Sequence, residues 1–414
     1  MLKTDIVIIG AGPGGAATAL KLSYLDIPCI LIDKAEFPRD KVCGDAVSGK
    51  VTTLLERLDP DILKRFRALP FHTDVWGIRF VTPNQKKMDI PFHPHYVRDP
   101  DAAPGYVVRR TDFDNFLIEE VKRRPNIQFF EGYEADEFEE TAEGYQVACS
   151  KADLNISAKI LIVANGAYSK FSKRVGLHKE VKHYAAAVRA YYENVEGLVQ
   201  DNFIELHFIK EYIPGYFWIF PLPNGGANVG LGMRSDYVQK RKVNLRAELQ
   251  NIIETHPTIK ERFAGAQLSG SIKGYGLPLG SKSRSISGDH FMLVGDAAYL
   301  VDPLTGEGIG NAFYSGFIAA EQARDCLAAQ DFSAETMLAY DKRVDRVLGS
   351  EMRLSYKMQG IACYPRLLNW SGYIIRSNQK MLSVLSKMYT DFDLREQLVR
   401  PWFWIKMLFQ RKAD

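Results

Sequence analysis

The sequence predicts an α/β fold, α+β overall, in which a Rossmann-like domain is interrupted by an antiparallel-sheet domain and followed by a helical C-terminal region. Three observations predict it. Residues 1–33 have the pattern of a strand, a glycine-rich turn, a helix and a second strand. Short apolar runs that are typical of buried parallel strands recur at 159–164 and 291–294. Residues 184–275, between those runs, are rich in strand-like segments and contain one helical stretch.

The bulk properties exclude several classes of protein. The chain has 414 residues, of which 46% are hydrophobic and 25% charged, which is typical of a globular protein. A net charge of +3 is too small to favour a nucleic-acid partner. The five cysteines and the histidines show no metal-ligand spacing, so we expect no metal and a reducing compartment. No signal peptide or membrane-spanning run is visible, which predicts a cytoplasmic protein.

The first glycine-rich turn carries the dinucleotide fingerprint. Gly10 permits a tight turn, Gly12 lets a pyrophosphate approach the backbone, and Gly15 lets the helix pack closely on the strand. The helix N-terminus offers free N–H groups to the phosphates. Asp33 ends the second strand and suits a bond to ribose hydroxyls. This unit predicts a dinucleotide site, with NAD and FAD both still open.

A second glycine-bearing corner follows the apolar run at 291–294. There Asp296 can accept hydrogen bonds from ribitol hydroxyls, and the loop through Pro303, Gly306 and Gly308 is free of bulk, so a flat ring can lie on it. The helix that starts near Gly308 points its positive end at such a ring. Taken alone, the segment could be a tight turn with a capping acid. Beside the first fingerprint, it favours a flavin.

Three aromatic residues alternate along one predicted strand. Tyr216, Trp218 and Phe220 are two positions apart, so they face the same side of the strand. They could form a wall for an apolar ligand, or they could pack in the core of a sheet.

The chain resembles the geranylgeranyl reductase family of FAD-dependent oxidoreductases, which is p-hydroxybenzoate hydroxylase-like and has the glutathione-reductase-type FAD fold. The motifs at 10–15, 161–169 and 295–309 carry this resemblance. A more specific match is the pattern Tyr-x-Trp-x-Phe-Pro, eight residues, Gly-x-Gly, which covers residues 216–232. Residues 41–44, Lys-Val-Cys-Gly, are similar to the family's flavin-proximal segment. The family's usual Asp-Gly is replaced here by Asn165 and Gly166, which puts an acid role at that turn in doubt.

The resemblance implies an activity and its cofactor. FAD would accept a hydride from an external donor, and NAD(P)H would bind only transiently because no second fingerprint is present. Reduced flavin would then reduce carbon–carbon double bonds of an isoprenoid or other lipophilic substrate. Two alternatives stay open: a flavin-dependent monooxygenase or halogenase acting on an apolar or aromatic substrate, and a non-catalytic flavin-bound lipid carrier.

The resemblance and the residue patterns together assign site residues. We expect catalytic roles for Cys43, Tyr216 and Trp218, and substrate contacts from Tyr216, Trp218, Phe220, Gly230 and Gly232. The residues expected to bind FAD are Gly10, Gly12, Gly14, Gly15, Asp33, Lys34, Lys41, Cys43, Gly44, Arg110, Gly166, Gly295, Asp296, Pro303, Gly306, Gly308 and Ile309.

The same patterns predict a discontinuous domain organisation. The FAD-binding domain is expected at 1–70, 105–183 and 276–345, the substrate domain at 71–104 and 184–275, and the helical C-terminal region at 346–414. Residues 401–409 are unusually aromatic and lie near basic residues. They are expected either to touch a membrane surface or to dock on the protein body.

Overall fold

The computed structural model describes residues 1–93, 99, 103–199 and 202–377. Its strands are β1 (Leu2–Ile9), β2 (Cys29–Asp33), β3 (Ala46–Val47), β4 (His72–Val75), β5 (Gly77–Val81), β6 (Lys87–Pro91), β7 (Gly105–Val108), β8 (Ile127–Glu131), β9 (Glu137–Thr141), β10 (Gly144–Cys149), β11 (Leu154–Val163), β12 (Tyr184–Glu193), β13 (Ile204–His207), β14 (Gly215–Pro221), β15 (Ala227–Arg234), β16 (Gln267–Pro278), β17 (Ser287–Gly288) and β18 (Phe291–Leu293). Its α-helices are α1 (Pro13–Ser23), α2 (Gly49–Leu58), α3 (Pro60–Arg67), α4 (Arg110–Lys122), α5 (Lys170–Arg174), α6 (Ser235–Arg241), α7 (Leu245–Thr255), α8 (Ile309–Ala329), α9 (Ala334–Val344), α10 (Ser350–Ile361) and α11 (Pro365–Ser377).

A mostly parallel sheet places both glycine corners at one edge. Its strand order is β17-β18-β11-β1-β2-β8, and the five strands from β18 to β8 run parallel. Ile9, the last residue of β1, pairs with Val163 of β11 and Ile32 of β2, and Val163 pairs with Leu293 of β18. Because the carboxyl ends of these strands are aligned, the loops that follow them meet at the same edge.

Two details of the predicted secondary structure are wrong. The apolar patterns at 127–130 and 145–147 predict strands of one small meander. The structure differs, because β8 pairs parallel with β2 and extends the main sheet. A short apolar run does not reveal its partner, and the preceding helix α4 makes a parallel crossover possible. The apolar periodicity over 51–67 predicts one helix. The structure has two, because Pro60 starts α3 and the side chain of Asp59 caps it by accepting from the N–H of Asp61.

The second large sheet is almost entirely antiparallel. Its order is β16-β12-β15-β14-β13-β5-β6, and only the β13–β5 pair is parallel. A small sheet of order β3-β7-β4 pairs with neither large sheet, and its residues Val75 and Val107 pack against β13 and β14. The chain therefore leaves the parallel sheet after β2 to build β5 and β6, and leaves it again after β11 to build β12–β16. This pairing is the observation on which the division into domains rests, and the domain boundaries stay a prediction.

Helices α1 and α8 pack closely against each other. A Cβ built on Gly316 would lie 2.6 Å from the carbonyl oxygen of Gly14, and one on Gly14 would lie 3.5 Å from the Cβ of Ala312. Small residues therefore let the two helices approach, which brings their N-terminal ends to the same edge of the sheet.

Within the described ranges, no helix has the length and hydropathy needed to cross a membrane. The aromatic stretch at 401–409 lies outside the described residues.

Candidate functional site

One cavity of about 1020 Å³ joins the edge of the parallel sheet to one face of the antiparallel sheet. Of the residues predicted for the site, all but two line it: Gly10, Gly12, Gly14, Asp33, Lys34, Lys41, Cys43, Gly44, Arg110, Gly166, Tyr216, Trp218, Phe220, Gly232, Gly295, Asp296, Pro303, Gly306, Gly308 and Ile309. The two that do not line it are Gly15 and Gly230.

The first glycine turn is held by backbone contacts that exclude side chains. Gly10 has a φ of +98°, and its N–H donates to the carbonyl of Ile32 at 2.7 Å. A Cβ on Gly10 would lie 2.6 Å from the carbonyl oxygen of Ala164, and one on Gly15 would lie 1.8 Å from that of Gly10. Gly15 is therefore a packing position at which α1 crosses the turn, and it does not face the cavity.

Asp33 fastens this turn to the end of β2. Its two carboxylate oxygens accept from the N–H of Ala11 at 2.6 Å and the N–H of Ala35 at 2.8 Å. The side chain is buried but still lines the cavity. A carboxylate has about four acceptor sites, so the remaining lone pairs are available to hydroxyl groups of a ligand.

Two helix N-termini open into the same cavity. Helix α1 follows Gly12 and helix α8 follows Gly308, and neither end has a side-chain capping hydrogen bond. Their first N–H groups and positive dipole ends are therefore available to a ligand. Arg39 adds a charge here, since a Cβ on Gly12 would lie 3.5 Å from its Nη2 atom. These features fit FAD, which carries a pyrophosphate and a flavin ring that becomes anionic when it is reduced.

Lys41 and Asp296 connect the loop after β2 to the second glycine corner. The Nζ atom of Lys41 lies 3.8 Å from Oδ2 of Asp296 and 3.8 Å from the ring centroid of Tyr275. Burial lowers the pKa of Lys41, and the carboxylate of Asp296 acts in the opposite direction. A Cβ on Gly308 would lie 3.2 Å from Oδ1 of Asp296. The carboxylate therefore lies at the start of α8, beside a buried ammonium.

The loop after β18 is organised by Asp302. Its Oδ1 atom accepts from the N–H groups of Leu304 and Thr305, at 2.9 and 2.7 Å, and from the Thr305 hydroxyl. The hydroxyl of Tyr216 donates to the Thr305 carbonyl and would lie 3.1 Å from a Cβ on Gly306. Burial raises the pKa of Tyr216, so the phenol keeps its proton. The second corner is thereby tied to β14.

The aromatic residues of β14 form one continuous wall. The ring centroids of Tyr216 and Trp218 are 6.1 Å apart, and those of Trp218 and Phe220 are 6.2 Å apart, which confirms that the three side chains share a face. A Cβ on Gly44 would lie 2.9 Å from the ring of Phe220. The wall therefore packs directly against the turn that contains Cys43.

Gly230 was expected to contact substrate, and the structure places it elsewhere. A Cβ at this position would lie 2.1 Å from the six-membered ring of Trp218. Gly230 pairs with Trp218 across β14 and β15, and its lack of a side chain leaves room for the indole. It shapes the wall from behind the cavity lining.

Cys43 lies beside a buried ion pair. The guanidinium of Arg110 donates to both oxygens of Asp114, at 2.6 and 2.7 Å, and lies close enough to the Cys43 thiol for the two groups to interact electrostatically. Arg39 pairs with the same carboxylate at 3.0 Å. The thiol is therefore next to fixed positive charge.

Two polar residues at the site were not found from the sequence. Asp45 and Asn228 are both fully buried and hydrogen-bonded to each other behind the aromatic wall. One signal was available for Asn228: it precedes Gly230 and Gly232 at a spacing of two, so it faces the same side of β15. For the described part of the chain, no group of three His, Cys, Asp or Glu residues could hold a metal ion.

Comparison with known proteins places the chain among FAD-binding proteins. The FAD binding domain family matches residues 3–317. The digeranylgeranylglycerophospholipid reductase 2 of Methanosphaera stadtmanae is 28% identical over 99% of this chain and 97% of its own length. The menaquinone reductase of Mycobacterium tuberculosis is 28% identical over 97% of this chain and 95% of its own length.

Solved structures show the same fold. A geranylgeranyl bacteriochlorophyll reductase-like protein from Thermoplasma acidophilum has a TM-score of 0.77 at 22% identity, over 99% of this chain and 98% of that one. A variant of a flavin-dependent brominase has a TM-score of 0.74 at 20% identity, over 98% of this chain and 97% of that one.

Proposed function

The chain belongs to the FAD binding domain family, and from this premise we propose that it reduces carbon–carbon double bonds in the isoprenoid part of a lipophilic substrate. It is an FAD-dependent oxidoreductase of the geranylgeranyl reductase type. The observation that carries the proposal is the single cavity, which joins both glycine corners to the aromatic wall of β14.

The names of the relatives support the substrate class. Two relatives that match nearly the whole chain are named as reductases of a digeranylgeranyl phospholipid and of menaquinone, and both compounds carry isoprenoid chains. An isoprenoid chain is apolar and flexible, so it suits a wall of three aromatic side chains better than a polar pocket.

The cavity residues would each have a separate role in the proposed reduction. When bound, FAD supplies a hydride to the substrate after two-electron reduction by an external donor. Saturating one double bond also consumes one proton, and we propose the Cys43 thiol, beside Arg110, as its source. Tyr216 would hold the loop at Thr305 through its donated hydrogen bond, and Trp218 and Phe220 would orient the substrate and exclude water. NAD(P)H as the donor stays a prediction.

The two alternative functions have weaker support. The brominase shares the fold at 20% identity, and such a likeness says nothing about the reaction. A non-catalytic lipid carrier would have no need for the Cys43 thiol beside the buried pair of Arg110 and Asp114.

The test is an anaerobic single-turnover experiment. The enzyme is reconstituted with FAD, reduced with NAD(P)H or with dithionite, and mixed with a geranylgeranyl lipid or with its fully saturated counterpart. We expect reoxidation of the enzyme by the unsaturated lipid alone, with a product two hydrogen masses heavier for each bond reduced. Reoxidation only by oxygen, together with a hydroxylated or halogenated product, would support the alternative.

We also propose that the helix α11 face contacts the membrane that supplies the substrate. Exposed apolar side chains recur at every third position from the last residue of α10, through the link that follows it, into α11: Ile361, Tyr364, Leu367, Trp370 and Tyr373. Met358 and Ala362, which line the cavity, adjoin this face, and Lys357 and Arg366 flank it as exposed cations. Aromatic and cationic side chains together suit the surface of an anionic bilayer.

Vesicle sedimentation tests this second proposal. The full chain is expected to sediment with vesicles containing anionic lipid, and Trp370→Glu is expected to weaken that binding at least tenfold. Leu338→Glu is the matched control, since Leu338 is exposed on α9, away from the cavity lining. Equal binding by both variants would place the membrane contact elsewhere.

A further inference from the structure

A buried hydrogen-bond network connects Trp218 to the turn that contains Cys43. The indole N–H of Trp218 donates to Oδ1 of Asn228 at 2.9 Å. The Nδ2 group of Asn228 donates both to the carbonyl oxygen of Cys43 and to Oδ2 of Asp45, each at 2.8 Å. The hydroxyl of Tyr191 donates to the same Oδ2 atom at 2.7 Å. One amide thus joins the wall of β14 to residues 43–45.

The chemistry of these partners fixes the orientation of the amide. An indole N–H can only donate, whereas a backbone carbonyl and a carboxylate can only accept. A flipped Asn228 side chain would set its NH₂ group against the indole and its oxygen against two acceptors. Neither Asp nor Leu could make all three hydrogen bonds, so asparagine is required at this position.

The shape of β15 restrains the same indole. Asn228, Gly230 and Gly232 alternate along the strand and face one side. The ring of Trp218 lies over Gly230, where it leaves no room for a Cβ, while Asn228 takes its N–H group. The six-membered ring of the indole therefore fits into the space left by Gly230, and the indole N–H is held by its hydrogen bond to Asn228.

Burial of the Asp45 carboxylate costs free energy of folding. Its side chain has no solvent exposure, its φ is +65°, and Oδ1 has no hydrogen-bond partner among the residues that the structure describes. Burial raises its pKa to about 6, against the hydrogen bonds from Tyr191 and Asn228 and the charges of Arg189 and Arg110. A group that costs stability in this way is typical of functional sites.

We propose that Asn228 and Asp45 are positioning residues that lock the Trp218 indole to the Cys43 turn, so that the wall facing the substrate and the thiol beside the flavin keep one relative geometry. The catalytic consequence rests on the proposed function, but the network does not. Protonation of Asp45 would remove its charge and loosen the two hydrogen bonds that it accepts, so the lock would weaken as the pH falls through about 6.

The test uses the indole N–H signal of Trp218 in ¹⁵N-tryptophan-labelled full-length protein, assigned by its disappearance in Trp218→Phe. In the wild type we expect this signal to titrate with a midpoint near pH 6, and in Asp45→Asn we expect no such titration. In Asn228→Leu we expect its hydrogen exchange to be at least tenfold faster, with Asn251→Leu, an exposed position on α7, as the unaffected control.

Each outcome has a defined meaning. A signal that does not titrate and is unchanged by Asn228→Leu overturns the proposal. If Asn228→Leu does not fold, the comparison of Asp45→Asn with the wild type decides alone, because the asparagine can still accept both hydrogen bonds.

Steady-state kinetics test whether the network affects catalysis. With an isoprenoid substrate, we expect Asn228→Leu to lower kcat about tenfold with little change in KM, and to have little further effect in a Trp218→Phe background. Additive losses in the double variant would overturn the positioning role. If no variant and no wild type turns over an isoprenoid while the indole signal behaves as expected, the proposed function fails and the network stands.

Discussion

The ammonium of Lys41 lies 3.8 Å from a carboxylate oxygen of Asp296. Lys41 follows β2 and Asp296 follows β18, so the contact joins two residues that are far apart in the sequence. It brings together the loop after β2, which carries Lys41, and the second glycine corner, which carries Asp296. Both residues line the same cavity, so substitutions in this cavity test the assignment of the cofactor site directly.

Gly12→Val is expected to abolish FAD binding and leave the fold intact. The added side chain would occupy the space between the α1 N-terminus and Arg39, where the pyrophosphate belongs. Flavin absorbance after reconstitution measures the loss, and circular dichroism measures the fold. Gly265→Val is the control, because Gly265 has nothing within 4 Å of its Cβ position and is expected to keep its flavin. Full flavin content in Gly12→Val would contradict the assignment of this turn.

Asp296→Ala is expected to weaken FAD binding about tenfold, which corresponds to about 1.4 kcal/mol. The substitution removes a hydrogen-bond acceptor at the start of α8 and leaves the buried Lys41 without its counter-ion. Fluorescence titration of the apoprotein with FAD measures the affinity. Asp325→Ala, which removes an exposed carboxylate at the far end of α8, is the control. Equal affinity in the two variants would argue against a cofactor role for Asp296.

Gly230→Ala is expected to impair turnover as severely as Trp218→Ala while sparing the cofactor. A Cβ on Gly230 would lie 2.1 Å from the indole and must displace it, whereas Trp218→Ala removes the ring and costs roughly 3 kcal/mol of stability through the void it leaves. Steady-state kinetics and flavin content, measured on both variants, test this. Normal turnover in either variant would show that the aromatic wall of β14 has no part in the reaction.

Asp45→Asn is expected to stabilise the folded protein at neutral pH. The pKa of Asp45 is raised from 3.8 to about 6 by burial, so the folded state binds an extra proton between these values and stability falls as the pH rises through that window. Removing the ionisable group should raise the free energy of unfolding by about 3 kcal/mol above pH 7 and by little below pH 4. Urea unfolding at pH 4.5 and pH 7.5 measures the difference. A difference in the free energy of unfolding between variant and wild type that does not increase with pH would contradict the raised pKa of Asp45.

Much of the fold followed from local patterns. The turn at Gly10, the buried strands and the helix after Gly308 were predicted because glycine spacing and apolar runs are local signals. The partner of β8 was wrong because pairing depends on which strand lies beside it in space. The break at Pro60 was visible in the residues themselves, and the helical periodicity on both sides concealed it.

Residue types at fixed short spacings were enough to predict the two glycine corners, the shared face of Tyr216, Trp218 and Phe220, and the kind of cofactor. Two roles could not be read from such spacings: Gly230 makes room for the indole of Trp218, and Asn228 joins that indole to Asp45. Those roles depend on distances between separate strands and loops, and a hydrogen bond or a steric gap between them exists only once the sheets have packed.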